Sequence, residues 1–235
     1  MKIFYDFHIH TALSPCGDQL MSPNNIVNMA MLNQLDVIAI TDHNTCKNCE
    51  AVMKVGEEKG LLVIPGIEIE CMEEFHLIAL FHDLKEAKYI EDILRNHMPN
   101  IENRADIFGE QHILGENDEV IGEEKQLLLT ATLLSVYAIV EKVKEIGAII
   151  YPAHIDRSSY SIISNLGFLP EDISFTALEV SNNANLESYI QKYPEHLIIK
   201  SSDAHYLQDI AERESYILAD TVSIEDIFRC INATS

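Results

Sequence analysis

The 235-residue sequence predicts an α/β fold, either a barrel or an open doubly wound sheet. Seven short apolar runs rich in β-branched residues alternate with amphipathic segments, which is the pattern of strand–helix units. Several runs are apolar at every position, such as Val37-Ile38-Ala39-Ile40, and this favours parallel strands covered on both faces. No repeat or linker-like stretch divides the chain, so we expect one domain over residues 1–235.

The strands are expected at residues 2–7, 36–40, 61–67, 76–81, 148–151, 175–180 and 197–200. The connection between the third and fourth strands is short, because Glu68 and His76 are only eight positions apart. A parallel crossover takes roughly a dozen residues or more. The fourth strand should therefore return antiparallel to the third or lie across the rim.

End signals mark helices between the strands: a Ser22-Pro23 start, a helix over 50–59 stopped by Gly60, one over 134–146 stopped by Gly147, and a capping-box pattern from Ser223 to Asp226. Residues 83–133 are the least regular part and form an insertion. It contains a predicted helix over 86–97 and a polar hairpin or loop over 110–124. The insertion is either a substrate lid or a surface loop.

Composition limits the classes of partner. The formal net charge is −22, with 16 Lys+Arg against 38 Asp+Glu, and a long nucleic acid is disfavoured because its binders need a basic stripe. Bound divalent cations would nevertheless make a site locally positive. No apolar run approaches the roughly 18 residues that span a bilayer, and no secretory signal begins the chain, so we expect a cytoplasmic protein without a membrane partner. The odd count of five cysteines indicates reduced thiols.

Histidines and carboxylates follow the ends of the predicted strands. Residues two apart in a strand face the same side about 7 Å apart, so His8 and His10 can reach one ion. The other strand-end residues are Asp42 with His43, Glu68, His154, and Asp203 with His205. A single strand-end histidine is most often a hydrogen-bonded rim residue, but five at the end where α/β barrels carry their chemistry indicate a metal site. Imidazole and carboxylate ligands suit zinc, manganese or iron.

Six motifs, in this order along the chain, resemble the polymerase and histidinol phosphatase (PHP) family: His8-Ile9-His10, Thr41-Asp42-His43, Gly66-Ile67-Glu68, His76, Pro152-Ala153-His154 and Ser202-Asp203-Ala204-His205. The resemblance runs from residue 5 to about residue 206. It implies a distorted seven-stranded β/α barrel of the TIM type, two or three bound divalent ions and hydrolysis of phosphoesters.

The resemblance also implies ligands for each ion: His8, His10, Glu68 and Asp203 for the first, Glu68 as a bridge with His76 and His154 for the second, and His43 with His205 for the third. His82 is an alternative to His76. Family members with three ions commonly carry a further histidine a few residues after the first motif. This sequence has Cys16 there, with Asp18 close by, and a thiolate ligates zinc well.

The ions would activate a bridging water, clamp the phosphoryl oxygens and neutralise charge in the transition state. Asp42 is expected to orient a ligand imidazole or to cap a turn. Asp203 is a candidate proton donor to the leaving group. Arg157 is expected to anchor the substrate phosphate or to pair with a surface carboxylate, and Glu179 and Asn182 to contact substrate or to cap a turn.

The predicted function is that of a metal-dependent phosphoesterase in which a metal-bridging hydroxide attacks a small phosphorylated substrate, either a phosphomonoester or a nucleotide. Phosphodiesterase or exonuclease-like activity on nucleic acid is the alternative within the same chemistry. Amide or ester hydrolysis is disfavoured, because such centres usually recruit a bridging lysine, and Lys200 is the only lysine at the end of a predicted strand. A non-catalytic PHP module with a regulatory or structural role is the remaining alternative. The sequence leaves the oligomeric state open.

Overall fold

The computed structural model describes residues 1–233, in which the largest element is a curled mixed sheet of six strands. In spatial order these are β10 (Tyr216–Leu218), β1 (Lys2–Ile9), β2 (Val37–Ile40), β3 (Leu62–Glu70), β4 (His76–Leu80) and β7 (Ile149–Pro152). The strands β1, β2 and β3 are parallel, whereas β4 is antiparallel to both of its neighbours. The connection between β3 and β4 is short, and β4 returns antiparallel to β3 as that length predicted.

Two further strands, β8 (Ala177–Val180) and β9 (Leu197–Lys200), form a separate parallel pair. The chain after β9 reaches β1 through a single bridge between Ile9 and Ala204. All seven predicted strands are present and the α/β class is confirmed. A closed seven-stranded barrel is not confirmed, because hydrogen-bonded pairing breaks between β7 and β8 and only one bridge joins the other end.

Eight α-helices are described within residues 1–233: α1 (Pro23–Leu32), α2 (Cys49–Lys59), α3 (Leu84–His97), α4 (Ala105–Phe108), α5 (Val136–Glu145), α6 (Ile162–Leu166), α7 (Leu186–Lys192) and α8 (Ile224–Asn232). The predicted end signals operate as expected at Gly60, which adopts a left-handed φ of 77°, and at Ser223, which accepts a hydrogen bond from the Asp226 N–H. None of these helices combines the length and the apolar character needed to cross a bilayer. None of the five cysteines forms a disulfide bond in the described part of the chain.

The apolar core lies on both sides of the sheet. Alternate residues of β1 (Ile3, Tyr5 and Phe7) pack in one cluster with α8, while α1, α2, α3 and α5 pack in the other. The pairing of β1 with β2 shifts register between Asp6 and Ile9. Such irregularities re-aim side chains next to functional sites, and this one lies beside His8.

The insertion lies against the loops that follow β1 and β2. It contains the hairpin of β5 (His112–Leu114) and β6 (Val120–Glu123), as the polar segment predicted. The Asn44 side chain donates to the carbonyls of Leu128 and Thr130, and the His112 N–H donates to the Ala12 carbonyl at 3.0 Å. These contacts support the two loops from one side. A lid-like motion stays a prediction.

Glycine is required where the insertion meets the loop after β1. Gly109 has a φ of 105°, and a Cβ there would lie 2.1 Å from the Pro15 carbonyl oxygen. Gly17 closes the same loop so tightly that a Cβ would lie 2.5 Å from the Thr11 carbonyl oxygen. The position of Cys16 is therefore determined by close backbone approaches on both sides of it.

Candidate metal centre

One end of the sheet gathers the histidines and carboxylates that the sequence singled out. His8 and His10 end β1, His43 follows β2, and Glu68 lies in β3 and forms a bridge with His43. His76 begins β4, while His154 and Asp203 follow β7 and β9. His154 and Asp203 adopt positive φ values of 29° and 54°, which are uncommon for residues with a Cβ.

Glu68 is at the centre of the cluster and is 1% exposed. Five imidazoles surround its two oxygens. Oε1 lies 2.7 Å from Nδ1 of His76, 3.2 Å from Nε2 of His154 and 3.3 Å from Nε2 of His8, and Oε2 lies 3.1 Å from both Nε2 of His10 and Nδ1 of His43. Both carboxylate oxygens of Glu68 therefore face imidazole nitrogens, and each oxygen could help to hold a cation.

Three groups of potential ligands have donor atoms within 4.8 Å of one another: His8, His10, Glu68 and Asp203; His43, Glu68 and His76; His10, His43 and His205. The first group coincides with the ligand set expected for the first ion. The second group contains His43 together with Glu68 and His76, whereas His154 was expected in that place. His154 contacts Glu68 but lies outside this group. His82, the alternative to His76, lies outside the cluster and contacts Glu86 and Phe228.

Three imidazoles are held through Nδ1, which leaves Nε2 directed at the cluster. His8 donates to Glu179 Oε1 at 2.8 Å, and His205 donates to the Asp203 carbonyl at 2.9 Å. His10 donates to Ser14 Oγ at 2.9 Å, because the Ser14 hydroxyl proton is used in a 2.7 Å bond to Asp42. Hydrogen bonds of this kind orient metal-ligating imidazoles.

Two of these partners differ from the expectation drawn from the sequence. Asp42 acts on His10 only through Ser14, a residue that the sequence analysis did not single out. Glu179, expected to contact substrate or to cap a turn, is a buried partner of His8 and also accepts the His154 N–H. A serine four residues after a histidine carries no local signal, so only the fold could reveal this contact.

Carboxylates in the cluster favour positive charge on two of the imidazoles. Burial opposes protonation of His8, yet three neighbouring carboxylates outweigh it and raise its pKa well above the usual value: Asp203, Glu179 and Glu68. Burial has the same effect at His10, but its hydrogen bond to Asp203 and the nearby Glu68 carboxylate raise its pKa to about 9. A bound cation would supply positive charge at the same place.

The remaining imidazoles differ in charge. Burial lowers the pKa of His43 well below the usual value, and burial together with the nearby His10 lowers the pKa of His205 to about 4. Both are therefore neutral near pH 7 and keep a lone pair for a ligand bond. The carboxyl of Asp203 stays ionised, because His8 and His10 hold its pKa below the usual range despite its burial.

Unsatisfied buried atoms show that the cluster suits cations. Nδ1 of His43, Nδ1 of His154 and Oε2 of Glu68 are buried and make no hydrogen bond. Nδ1 of His43 and Oε2 of Glu68 lie 3.1 Å apart without hydrogen-bond geometry. Buried polar atoms are rarely left unpaired in folded proteins. A metal ion would satisfy the lone pairs of His43 and Glu68, whereas His154 faces Glu68 through Nε2, and nitrogen and oxygen donors of this kind suit transition-metal ions.

Arg157 lies at the edge of the cluster. Its guanidinium pairs with Asp203 and not with the surface carboxylates considered from the sequence, and its side chain is 41% exposed. Arg157 lines an open cleft of about 460 Å³ next to Asp203. Asn182 and Lys200 also line this cleft. Asp209, Glu212 and Glu214 line the same cleft, so both signs of charge border the cluster on this side.

The model of the PHP domain family matches residues 6–160, about two thirds of the chain. The chain belongs to the PHP domain family. PHP domains are metal-dependent hydrolases, and the buried groups of histidine, glutamate and aspartate are able to hold the metals that this chemistry needs. The identity and number of the ions and the role of each side chain remain predictions.

Two kinds of relative resemble this PHP chain. The 5′-3′ exoribonuclease Rnm of Salmonella typhimurium is 33% identical over 87 residues, which cover 35% of this chain and 29% of the exoribonuclease. The chain spans about half the length, or less, of the curated relatives it matches. The lesion-specific endonuclease Q of Pyrococcus furiosus has the same fold, with a TM-score of 0.73 and 18% identity over 100% of this chain and 57% of that protein.

A second structure of endonuclease Q contains a 27-mer duplex with an abasic lesion at its active site, and it matches with a TM-score of 0.73 and 17% identity over 100% of this chain and 57% of that one. The expectation of a small phosphorylated substrate in place of a long nucleic acid is wrong, because the matching PHP proteins include nucleases. The physical reason is that net charge is a sum over the chain. It does not report the potential at a site where cations can bind.

Proposed function

We propose that this PHP chain is a metal-dependent phosphodiesterase that cleaves nucleic acid. The observation that carries the proposal is the bridging geometry of Glu68, with five imidazoles around its two oxygens. The similarity to an exoribonuclease and to endonuclease Q supports a nucleic-acid substrate. Bound divalent ions would supply an activated water and stabilise the charge that develops on the phosphoryl oxygens.

Each side chain has a role in the proposal. His8, His10 and Asp203 hold the first ion with Glu68, and His76 and His154 hold the second with the same carboxylate. His43 and His205 belong to the third position. Asp42 keeps His10 oriented through Ser14, so that Nε2 of His10 points at the cluster.

Arg157 and Asp203 act at the border between the cluster and the cleft. Arg157 binds a phosphate of the strand next to the cleaved bond, because its guanidinium is half-exposed and next to the ligands. The low pKa of the Asp203 carboxyl makes it a weak proton carrier, so in this proposal Asp203 serves as a metal ligand and as the partner of Arg157, and the leaving oxygen takes its proton from water.

A stacking surface for a base lies beside the cluster. Tyr160 is 52% exposed, and its ring stacks on His76 with 5.0 Å between centroids and an interplanar angle of 24°. Aromatic side chains of this kind bind unpaired bases without sequence preference. A base on Tyr160 would bring its own phosphate towards His76 and Glu68, which favours a single-stranded end or an unstacked nucleotide as substrate.

The proposal is tested with end-labelled RNA and DNA oligonucleotides incubated with the purified chain and Mn²⁺ or Zn²⁺, next to a panel of phosphomonoesters. We expect metal-dependent cleavage of at least one oligonucleotide, and a loss of about 100-fold or more in Glu68→Gln, whose metal content is measured in parallel. Glu91→Gln is the matched control, because Glu91 is equally buried but bonds to Thr45 and Cys46 away from the cluster.

Phosphate release from monoesters without cleavage of any oligonucleotide would refute a nucleic-acid substrate. Oligonucleotide cleavage that persists in metal-depleted protein, or in Glu68→Gln, would refute the metal mechanism.

A further inference from the structure

A group of four buried polar side chains lies on the face of the sheet that packs against α8. Tyr5 of β1 and Tyr151 of β7 belong to the core cluster on that face, together with alternate residues of β8 and β9. Glu179 in β8 and Ser201 just past the end of β9 continue the same alternation, so their side chains face the same interior. All four residues are 3% exposed or less. The interior is therefore polar next to Glu179, the residue that orients His8.

Three polar atoms of this group have no hydrogen-bond partner: Oη of Tyr151, Oε2 of Glu179 and Oγ of Ser201. The other carboxylate oxygen of Glu179 is used, since it accepts from Nδ1 of His8 at 2.8 Å and from the His154 N–H at 3.2 Å. Buried hydroxyl and carboxylate oxygens are rarely left unpaired, because each has lost its hydrogen bonds to solvent. A small polar ligand in the interior would satisfy all three atoms.

Charge and backbone contacts place these atoms near one another. Burial raises the pKa of Tyr151 well above its usual value, and the nearby Glu179 carboxylate raises it further. Tyr151 Oη and Glu179 Oε2 nevertheless make no direct hydrogen bond. The N–H of Lys200, the residue before Ser201, donates to Oη of Tyr5 at 3.3 Å. Polar atoms that are near each other without a direct bond are commonly joined by a water.

We propose that one interior water binds Tyr151, Ser201 and Oε2 of Glu179, and that Tyr151 and Ser201 are thereby positioning residues for His8. The water accepts from the Tyr151 hydroxyl and donates to Glu179 Oε2 and Ser201 Oγ, and three bonds are usual for a buried water. With Oε2 held in this way, Glu179 keeps Oε1 on Nδ1 of His8, and Nε2 of His8 stays directed at the cluster. The effect on metal binding rests on the proposed role of His8 as a ligand, whereas the water site does not.

The stability of Tyr151→Phe tests the water. If the hydroxyl has a partner, its removal should raise the equilibrium constant for unfolding about 5-fold and lower the urea midpoint, which is the usual net effect of one lost hydrogen bond. If the hydroxyl has no partner in solution, the substitution removes an unpaired buried polar group, and the urea midpoint should rise. Urea titrations of chelator-treated protein measure the difference without a contribution from metal binding. A raised midpoint would overturn the proposal.

A double-mutant cycle tests whether the two hydroxyls share one water. Ser201→Ala should also be destabilised, and Tyr151→Phe/Ser201→Ala should lose less stability than the sum of the single variants, because either substitution already weakens the same water. The matched control combines Ser201→Ala with Tyr137→Phe, since the Tyr137 hydroxyl bonds to Asp172 at the surface at 2.9 Å, and these effects should add. Additive effects of Tyr151→Phe and Ser201→Ala would overturn the shared water.

The positioning role is measured by metal binding, which does not depend on catalysis. Tyr151→Phe should bind Co²⁺ about 5-fold more weakly in competition with a chelator, and the visible spectrum of its bound Co²⁺ should differ from that of the wild type, because the ring of His8 is less well fixed. Tyr137→Phe should match the wild type in both measurements.

The outcomes separate this inference from the proposed function. If Tyr151→Phe binds Co²⁺ with wild-type affinity and spectrum, the positioning role is wrong and the phosphodiesterase proposal survives. If the wild type binds no divalent ion, the proposed function and the positioning role both fail, while the urea titrations still decide whether the water is present.

Discussion

At the scale of single residues, Ser14 connects two parts of the candidate metal centre. Its hydroxyl donates to Asp42 and accepts from Nδ1 of His10 at 2.9 Å and from the His43 N–H at 3.2 Å. All the hydrogen-bonding capacity of the hydroxyl is therefore used. The side chain fixes both the ring orientation of one histidine and the backbone position of another.

Ser14→Ala is expected to weaken divalent metal binding about 10-fold, because His10 loses the acceptor that orients its ring. The measurement is a competition titration against a chelator of known affinity. Ser22→Ala is the matched control, since the Ser22 hydroxyl is also buried but has no hydrogen-bond partner. Equal affinities for the wild type and Ser14→Ala would show that packing alone orients His10.

At the scale of elements, an ion-pair network joins the insertion to its surroundings. Glu124 follows β6 and pairs with Lys47, in the loop after β2, and with Arg95 of α3, whose Nη1 lies 2.6 Å from Glu124 Oε2. Burial opposes ionisation of Glu124, but these two cations and a backbone N–H lower its pKa to about 2. Three segments that are distant in the chain therefore share one carboxylate.

The network makes part of the stability dependent on pH. Because the folded-state pKa of Glu124 lies below its unfolded value, its contribution is complete above about pH 5 and is lost as the pH falls towards 2. Between pH 7 and pH 4, the free energy of unfolding of the wild type should fall by about 1 kcal/mol more than that of Glu124→Gln. Urea titrations at both pH values measure the difference.

Glu141→Gln, at an exposed position of α5, controls for the loss of a negative charge and should follow the wild type. If Glu124→Gln loses stability in parallel with the wild type as the pH falls, the network does not persist in solution.

At the scale of the whole molecule, the net charge of −22 opposes the approach of a polyanion. The Debye length falls from about 30 Å at 0.01 M salt to about 10 Å at 0.1 M salt, so added salt screens this repulsion. A nuclease with a basic groove shows the opposite dependence, because salt weakens its binding. The charge of this chain therefore affects the rate of association even though it does not exclude nucleic acid.

We expect kcat/KM for an oligonucleotide to rise severalfold, on the order of 3-fold, between 0.01 M and 0.1 M monovalent salt at constant free Mn²⁺. Initial rates at low substrate concentration measure it. A phosphodiester with a single charge, such as bis(p-nitrophenyl) phosphate, should respond much less. A fall in kcat/KM with salt would indicate a local basic surface that dominates the encounter.

The amino-acid sequence determined the features that depend on near neighbours in the chain. Apolar runs located the strands and end signals located the helices, because each depends on a periodicity or a capping contact within a few residues. The short connection after Glu68 determined the antiparallel direction of β4 for the same reason. The sequence also located the candidate ligands at strand ends, since strand ends in an α/β fold meet at one edge.

Only the tertiary structure decided what depends on residues that are far apart in the chain. No backbone hydrogen-bond ladder joins β7 to β8. Whether two strands pair depends on how the rest of the chain packs around them, and no local sequence pattern encodes that packing. Tertiary structure also decided two sets of hydrogen bonds: those that link His10 to Asp42 through Ser14, and the one between His8 and Glu179. The approach of Cys16 to His205 joins residues separated by 189 positions, and such a contact exists only after the chain has folded.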